Sequence, residues 1–219
     1  MAIRLSRVSK LDGIASWSLP ALQTCPGAHE NGNLVEVCHS CYATTGRYTM
    51  RSVREPREEN QADWKEDDWV ERMVALLDDH RYFRWFDSGD IYDHRLASKI
   101  LDVVRQTPWC KHWIPTRSHK FSKLRQIIEQ INDEPNAVVR YSSDRIDEFE
   151  PHHGSVVVSD PNNVSGVYVC PATTARKNCN GCRACWSKEI KTVAYGIHGA
   201  RAKKTLRLKA DGYFDLATA

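Results

Sequence analysis

Seven of the chain's eight cysteines stand in two spaced sets. Near the C-terminal end, Cys170-Pro171 precedes CNGCRACW, where Cys179, Cys182 and Cys185 fall at i, i+3 and i+6. Two successive CxxC steps let three thiolates converge from one tight loop while a fourth arrives from a distance, the spacing of 4Fe-4S ligands. Zinc is the competing reading, because a four-cysteine tetrahedral site also uses CxxC knuckles. Zinc sites usually pair two knuckles of two cysteines each, so the run of three plus one remote cysteine favours iron and sulfide.

The N-terminal set is Cys25-Pro26 followed by Cys38 and Cys41 in CHSCYA. Three thiolates on a cubane would leave one iron open to a small molecule, which is how a cluster becomes a catalytic or sensing site. Three plainer readings stand beside this one. His29 or His39 completes a zinc site of three cysteines and one histidine, Cys110 is the fourth ligand, or the two sets share fewer sites than two. Cys110, between Trp109 and Lys111, lacks ligand spacing and reads first as a buried structural thiol. Trp186, directly after Cys185, is placed to shield a cluster from solvent. His198 in YGIHG and His152-His153 read first as hydrogen-bonded histidines rather than ligands.

The elements that must carry these residues alternate. EDDWVERMVALLDDH, 66–80, puts Trp69, Met73, Leu76 and Leu77 on one helical face, and RYFRWFDSGD follows as a strand. Leu96, Ile100, Val103 and Val104 mark a second helix from about Asp93, ahead of the strand HWIPTRS. Phe121, Leu124, Ile127, Ile128 and Ile131 mark a third, ahead of AVVRYSSD; SVVVSD, GVYVC and KTVAYG are later strands. The expectation is one α/β domain over 1–219 with a mainly parallel sheet, either open and doubly wound or a partial (β/α) barrel, and cysteine-rich metal loops at 25–41 and 170–185.

Four of the expected strands end in small polar or charged residues: Asp87-Ser88-Gly89-Asp90, Thr116-Arg117-Ser118, Tyr141-Ser142-Ser143-Asp144 and Ser159-Asp160. Parallel α/β folds build ligand sites at the C-terminal ends of their strands, so these clusters should meet around one cleft. Asp87, Asp90, Arg117, Ser118, Ser143 and Asp144 are the candidates for substrate contact or catalysis. The alternative is that each Ser and Asp caps the next helix.

Composition sets the outer bounds. A chain of 219 residues can bury a substantial core without disulfides. Neither a signal-peptide apolar run nor a stretch of about 18 apolar residues occurs, which points to an intracellular protein whose thiols stay reduced. The formal charge of +3 is too balanced to indicate nucleic acid by itself. Arg201, Lys203, Lys204, Arg207 and Lys209 nonetheless gather in an acid-free stretch, 201–209, that offers a nucleic-acid contact or a solvated basic end.

SLPALQTCPGA, CHSCYA, FRWFDSGDIYD, HWIPTRS, YSSD, CPAT, CNGCRACW and VAYGIHG, in that order from about residue 18 to 199, together resemble the bacteriophage gene product 88 family. The resemblance implies a phage-encoded protein of the host bacterial cytoplasm and brings no defined activity. A looser likeness is to radical SAM enzymes, which join a partial barrel to a three-cysteine 4Fe-4S cluster whose open iron binds S-adenosylmethionine. Here the usual CxxxCxxC is absent, Cys25 lies 13 positions before Cys38, and no glycine-rich SAM-binding segment follows. SAM therefore enters only by fold-level analogy. The sequence supports two functional readings: an iron-sulfur protein carrying one or two 4Fe-4S clusters, with redox or radical SAM-like chemistry on a small molecule, and a zinc- or cluster-stapled module that binds a host protein or nucleic acid. It does not decide whether the chain is an enzyme.

Overall fold

Alternating apolar strands and amphipathic helices fold here into a sheet covered by helices on one face. The computed structural model describes residues 2–149, 154–174 and 177–216. The His152-His153 pair lies outside these residues.

In chain order, β1 (Leu5–Arg7) pairs antiparallel with β2 (Ala15–Trp17), and β3 (His29–Glu30) with β4 (Asn33–Leu34) in a separate hairpin. Then come α1 (Arg51–Asp63), α2 (Trp69–Leu76), β5 (Tyr82–Trp85), α3 (His94–Gln106), β6 (Lys111–Thr116), α4 (Ser122–Asp133) and β7 (Ala137–Tyr141). Strands β2, β5, β6 and β7 run parallel, with Trp17 opposite Trp85 and Ile114 opposite Val139, and β1 is the antiparallel edge. A second parallel sheet has the order β8 (Ser155–Val158), β10 (Val193–Gly196), β9 (Tyr168–Val169). It is followed by α5 (Ala202–Ala210) and α6 (Tyr213–Leu216). The bridge Ser142–Ser155 links the two sheets in parallel sense. The fold is thus mixed α/β with a mainly parallel sheet; no pairing among the described residues closes it into a barrel.

Period-2 and period-3.6 patterns explain the layers. Phe83 and Trp85 of β5, Ile114 of β6 and Val139 of β7 join Met73, Leu96, Ile100 and Ile128 in the main core. Trp17, Trp69 and Trp85 meet edge-on or tilted at its centre, with centroids 5.4 to 6.3 Å apart. Such aromatic pairs add about 1 kcal/mol each beyond area burial. Asp93 starts α3 by accepting from the Arg95 amide at 2.7 Å, as an N-cap should. Leu76 and Phe121 depart from expectation, being 42% and 40% exposed: Leu76 is the last residue of α2, and Phe121 precedes α4 in extended backbone, outside the helix. Cys110 is fully buried in the main core, where a structural thiol belongs.

Helix α1 has no apolar stripe for sequence reading to detect. It carries Pro56 and buries Arg57, Asn60 and Asp63, its inward face being polar. Asn60 donates to the carbonyls of Arg4 and Ser18 and accepts from the Arg4 amide, which ties α1 to the edge of the sheet.

Candidate metal centre and strand-end cavity

The C-terminal quartet packs against the sheet face opposite the helices. Cys170, Cys179 and Cys185 are buried, and Cys182 half-buried, in one cluster with Trp113, Trp186, Val193 and Leu11. The Trp186 indole donates to the Phe83 carbonyl at 2.8 Å and stacks edge-on with Trp113, closing the cluster on the sheet side. Tyr195 of β10 lies 3.1 Å from the Cys185 sulfur, and Tyr168 of β9 lies 3.1 Å from that of Cys182. All eight cysteines carry free thiols. Burial first, then the neighbouring thiols, pushes Cys179 up to about 11; burial pushes Cys185 up to about 12.

Two charged residues shape this loop. Asp12, in a left-handed turn after β1, accepts from the amides of Asn180 and Gly181 at 3.0 and 2.9 Å and pairs with Arg183 at 3.0 Å. The Gly181 amide, then the Arg183 guanidinium, holds its carboxyl below the usual range. Arg140, on β7, is fully buried. Its guanidinium donates to the carbonyls of Ala184, Ser187 and Lys191 at 2.8 to 3.1 Å, to Cys185 at 3.4 Å, and to Ile190. Among the described residues it meets no carboxylate.

The N-terminal cysteines occupy a different place. Cys25, Cys38 and Cys41 line a cavity of about 210 Å³ together with Asp87, Asp90, Arg117 and Ser142. The strand ends hold the thiol loops directly. Beyond β5, the DSGD turn binds the 18–24 segment: the Leu19 amide donates to Ser88, the Asp90 amide to Thr24, and the Ser88 hydroxyl to Leu19. Gly89 must be glycine, since φ is +80° and a Cβ would lie 2.5 Å from Leu19 Cβ. Beyond β6, Gly27 lies so close that its own Cβ would come within 2.5 Å of Arg117 Cβ. Arg117 reaches the Cys38 sulfur at 3.6 Å. Beyond β7, the Asp144 carbonyl accepts from the Val37 amide at 3.1 Å.

Two carboxylates sit at the cavity with different environments. Asp90 accepts from the Thr116 hydroxyl at 2.6 Å and from the amides of Ile91 and Arg117, yet burial raises its pKa. Asp87 accepts from Tyr48, from Arg84 at 3.0 Å and from Arg57 at 3.5 Å. Neither caps a helix, so the capping alternative fails for DSGD. Burial, then the Asp90 charge, pushes the Cys25 thiol well up.

Half of the expected site residues line this cavity: Asp87, Asp90 and Arg117. Ser118, Ser143 and Asp144 do not. Ser118 is fully buried and gives its amide to Thr116; the Ser143 hydroxyl donates to the Glu148 carbonyl; Asp144 pairs with Lys120 at 2.5 Å and Arg117 at 3.6 Å. Strand alternation presents Ser142 to the cavity instead. The candidate fourth ligands of the triad lie elsewhere. His29 is exposed on the β3–β4 hairpin; His39 meets the Leu34 carbonyl and the rings of Tyr213 and Phe214; Cys110 is in the core. Among the described residues, no three His, Cys, Asp or Glu side chains form a group that could hold a single metal ion as they stand.

Sequence reading passes over Tyr42, Tyr48, Arg57, Arg84 and Arg140, which no motif spacing marks. Arg84 connects the two regions: it donates to Asp87 and to Tyr42 at 3.3 Å, and lies 4.6 Å over the ring of Trp113. His198, after β10, stacks on Tyr42 at 5.6 Å and meets the Gly196 carbonyl.

A mainly parallel α/β scaffold with one set of cysteines docked on its strand ends and the other on a sheet face defines the class. The family described as Gene product 88 matches residues 3–162, and the chain belongs to this bacteriophage family. The match includes the triad and the DSGD, TRS and YSSD strand ends; the quartet follows it in sequence. Comparisons with curated proteins and with solved structures give no match.

Proposed function

We propose that the protein is an iron-sulfur protein with a 4Fe-4S cluster on Cys170, Cys179, Cys182 and Cys185 and a second thiolate-bound centre on Cys25, Cys38 and Cys41 facing a small-molecule cavity. The observation that supports the first centre most is Arg140. A guanidinium keeps its charge in any environment, and a buried ion without a counter-ion costs several kcal/mol. Five carbonyls satisfy its donors, but four neutral thiols supply no negative charge. Four thiolates around a metal core do, which makes Arg140 a counter-ion built for a loaded site. Zinc would satisfy the same charge balance; the CxxCxxC spacing and the enclosure by Trp186 and Trp113 favour iron and sulfide.

For the second centre, the supporting feature is the cavity itself. Bound on three thiolates, a cluster supplies one-electron chemistry and an iron position open to a ligand. The protein's own residues do the rest. Arg117 donates toward Cys38, Asp90 is held by three donors at the cavity wall, and Asp87 is fixed by two guanidiniums and Tyr48. Asp87 and Asp90 are the candidate proton-handling groups, and Arg117 the candidate anchor for an anionic part of the substrate. A radical SAM-like reaction is one form of this chemistry.

The test is EPR spectroscopy of the reduced protein with and without S-adenosylmethionine. A changed signal that disappears in Cys41→Ala supports an open iron on the triad. An unchanged signal removes the SAM version. A reduced protein without any cluster signal contradicts the proposal.

One observation favours a second reading, a binding module. Helix α5 packs on the Cys38 loop, with Lys209 paired to Glu36 at 3.1 Å, while Arg201, Lys203, Lys204 and Arg207 face solvent. Salt-sensitive retention on random DNA would support this reading, since phosphate contacts weaken steeply with salt.

A further inference from the structure

A second cavity, larger than the one at the triad, is lined by neither thiol set. It holds about 360 Å³ between β1 and the start of α1. Its charged lining is Arg4, Arg7, Arg47 and Arg57 against the single carboxylate Asp87, with hydroxyls from Ser6, Ser9, Ser18 and Ser52 around them. The floor is already bonded. Arg57 is buried, donates to Ser88 at 2.6 Å and to Asp87, and lies 4.9 Å over the Tyr48 ring. The rim is not: Arg7 and Arg47 are exposed and meet no carboxylate among the described residues, and Arg4 has only a solvent-exposed pair with Glu59. Ser52 lies in the first turn of α1, whose start no side chain caps. Unpaired guanidiniums, hydroxyl donors and the positive end of a helix dipole are the donor set that binds phosphate.

We propose that this cavity is a binding site for the phosphate group of a small phosphorylated molecule, held at the rim by Arg7 and Arg47 with the Ser52 hydroxyl. The volume is in the range of small-molecule sites and exceeds what a free phosphate fills, which assigns the ligand to an organic phosphate. Asp87 is shared with the triad's cavity, so the unphosphorylated end of the ligand would lie beside that wall. The inference does not depend on either metal centre.

Calorimetric titration of the full-length protein, purified without oxygen, tests it with ribose 5-phosphate, ribose, inorganic phosphate and a single-stranded oligonucleotide. The expected result is binding of ribose 5-phosphate that weakens with added salt, with none for ribose. The Arg7→Gln/Arg47→Gln pair should weaken it about tenfold or more, the scale of losing charge-assisted bonds. Both side chains are exposed, so the fold should persist; Ser52→Asp, which puts a negative charge at the start of α1, is the second variant and should also weaken binding. Tighter binding of the ester than of free phosphate supports the organic source, and equal binding shifts the assignment to inorganic phosphate. No binding of either phosphate, or binding unchanged in both variants, overturns the site. Binding of the oligonucleotide alone overturns it in favour of a nucleic-acid surface.

Discussion

The quartet and the triad use the same side chain in opposite settings. Around the quartet, two tryptophans, a buried guanidinium and an Asp12-bound turn enclose the thiols, and none of the four lines either cavity described above. Around the triad, the thiols are walls of a cavity that also holds two carboxylates and Arg117. Enclosure suits a centre that stabilises the fold or passes electrons; an open wall suits one that meets a ligand. Cysteine spacing alone would not have separated the two roles, because what differs is the neighbours.

The largest contrast should come from removing one thiol from each set. Cys182→Ala should lose the quartet's metal and much of the folded protein, because the binding energy of such a site is also folding energy. Cys41→Ala should stay folded and lose only the triad's metal. Circular dichroism with metal analysis on both variants checks this, and a folded, fully metallated Cys182→Ala would erase the distinction.

Arg140→Met should come next, at about 3 to 5 kcal/mol, since it leaves five carbonyls, two of them buried, without their donor and the loaded site without its counter-ion. Its effect should be larger with metal than without. Denaturant unfolding of loaded and stripped protein measures both, and equal losses in the two forms would remove the counter-ion role.

An effect outside both regions provides a control. His112 is fully buried, between the Trp85 indole at 3.1 Å and the Thr107 hydroxyl at 2.9 Å, and burial lowers its pKa to about 3. The unfolded histidine, with a pKa near 6.5, takes up a proton that the folded one refuses. Stability from this group is therefore complete above about pH 6.5 and falls toward pH 3, by up to about 1.4 kcal/mol per pH unit. His112→Gln should start less stable and lose less between pH 7 and pH 5, as urea midpoints at the two values would show.

The smallest expected effect is Asp12→Asn, about 1 kcal/mol from weakening a charged acceptor of two amides. It should speed metal release to a chelator from the quartet and leave the triad's rate unchanged. Faster release from the triad would mean that the two centres are coupled.

How much of this was legible in the sequence follows from the kind of signal each part leaves. Periodic helices such as α3 and α4 and the strands β5 to β7 were legible, because burying one face imposes a period that survives in the residues themselves. The convergence of DSGD, TRS and YSSD on one cavity was legible from parallel topology, but the fourth expected cluster, Ser159-Asp160, does not join them, Ser159 bonding to Asp147 instead, and which serine faces the cavity was not legible: a shift of one residue turns Ser143 away and Ser142 inward. Helix α1 was illegible because its buried face is Arg57, Asn60 and Asp63. Arg140 and Asp12 were illegible for a different reason. Each acts on a loop far along the chain, and long-range pairing to backbone groups leaves no local pattern.

The most direct test of the account is iron and acid-labile sulfide analysis, with an absorption spectrum, on protein purified without oxygen from iron-replete cells. The account predicts about eight irons and about eight sulfides per chain, falling to about four of each in Cys41→Ala, with broad visible absorbance in both. Zinc without sulfide on the quartet would contradict it and leave the thiols as staples of the fold.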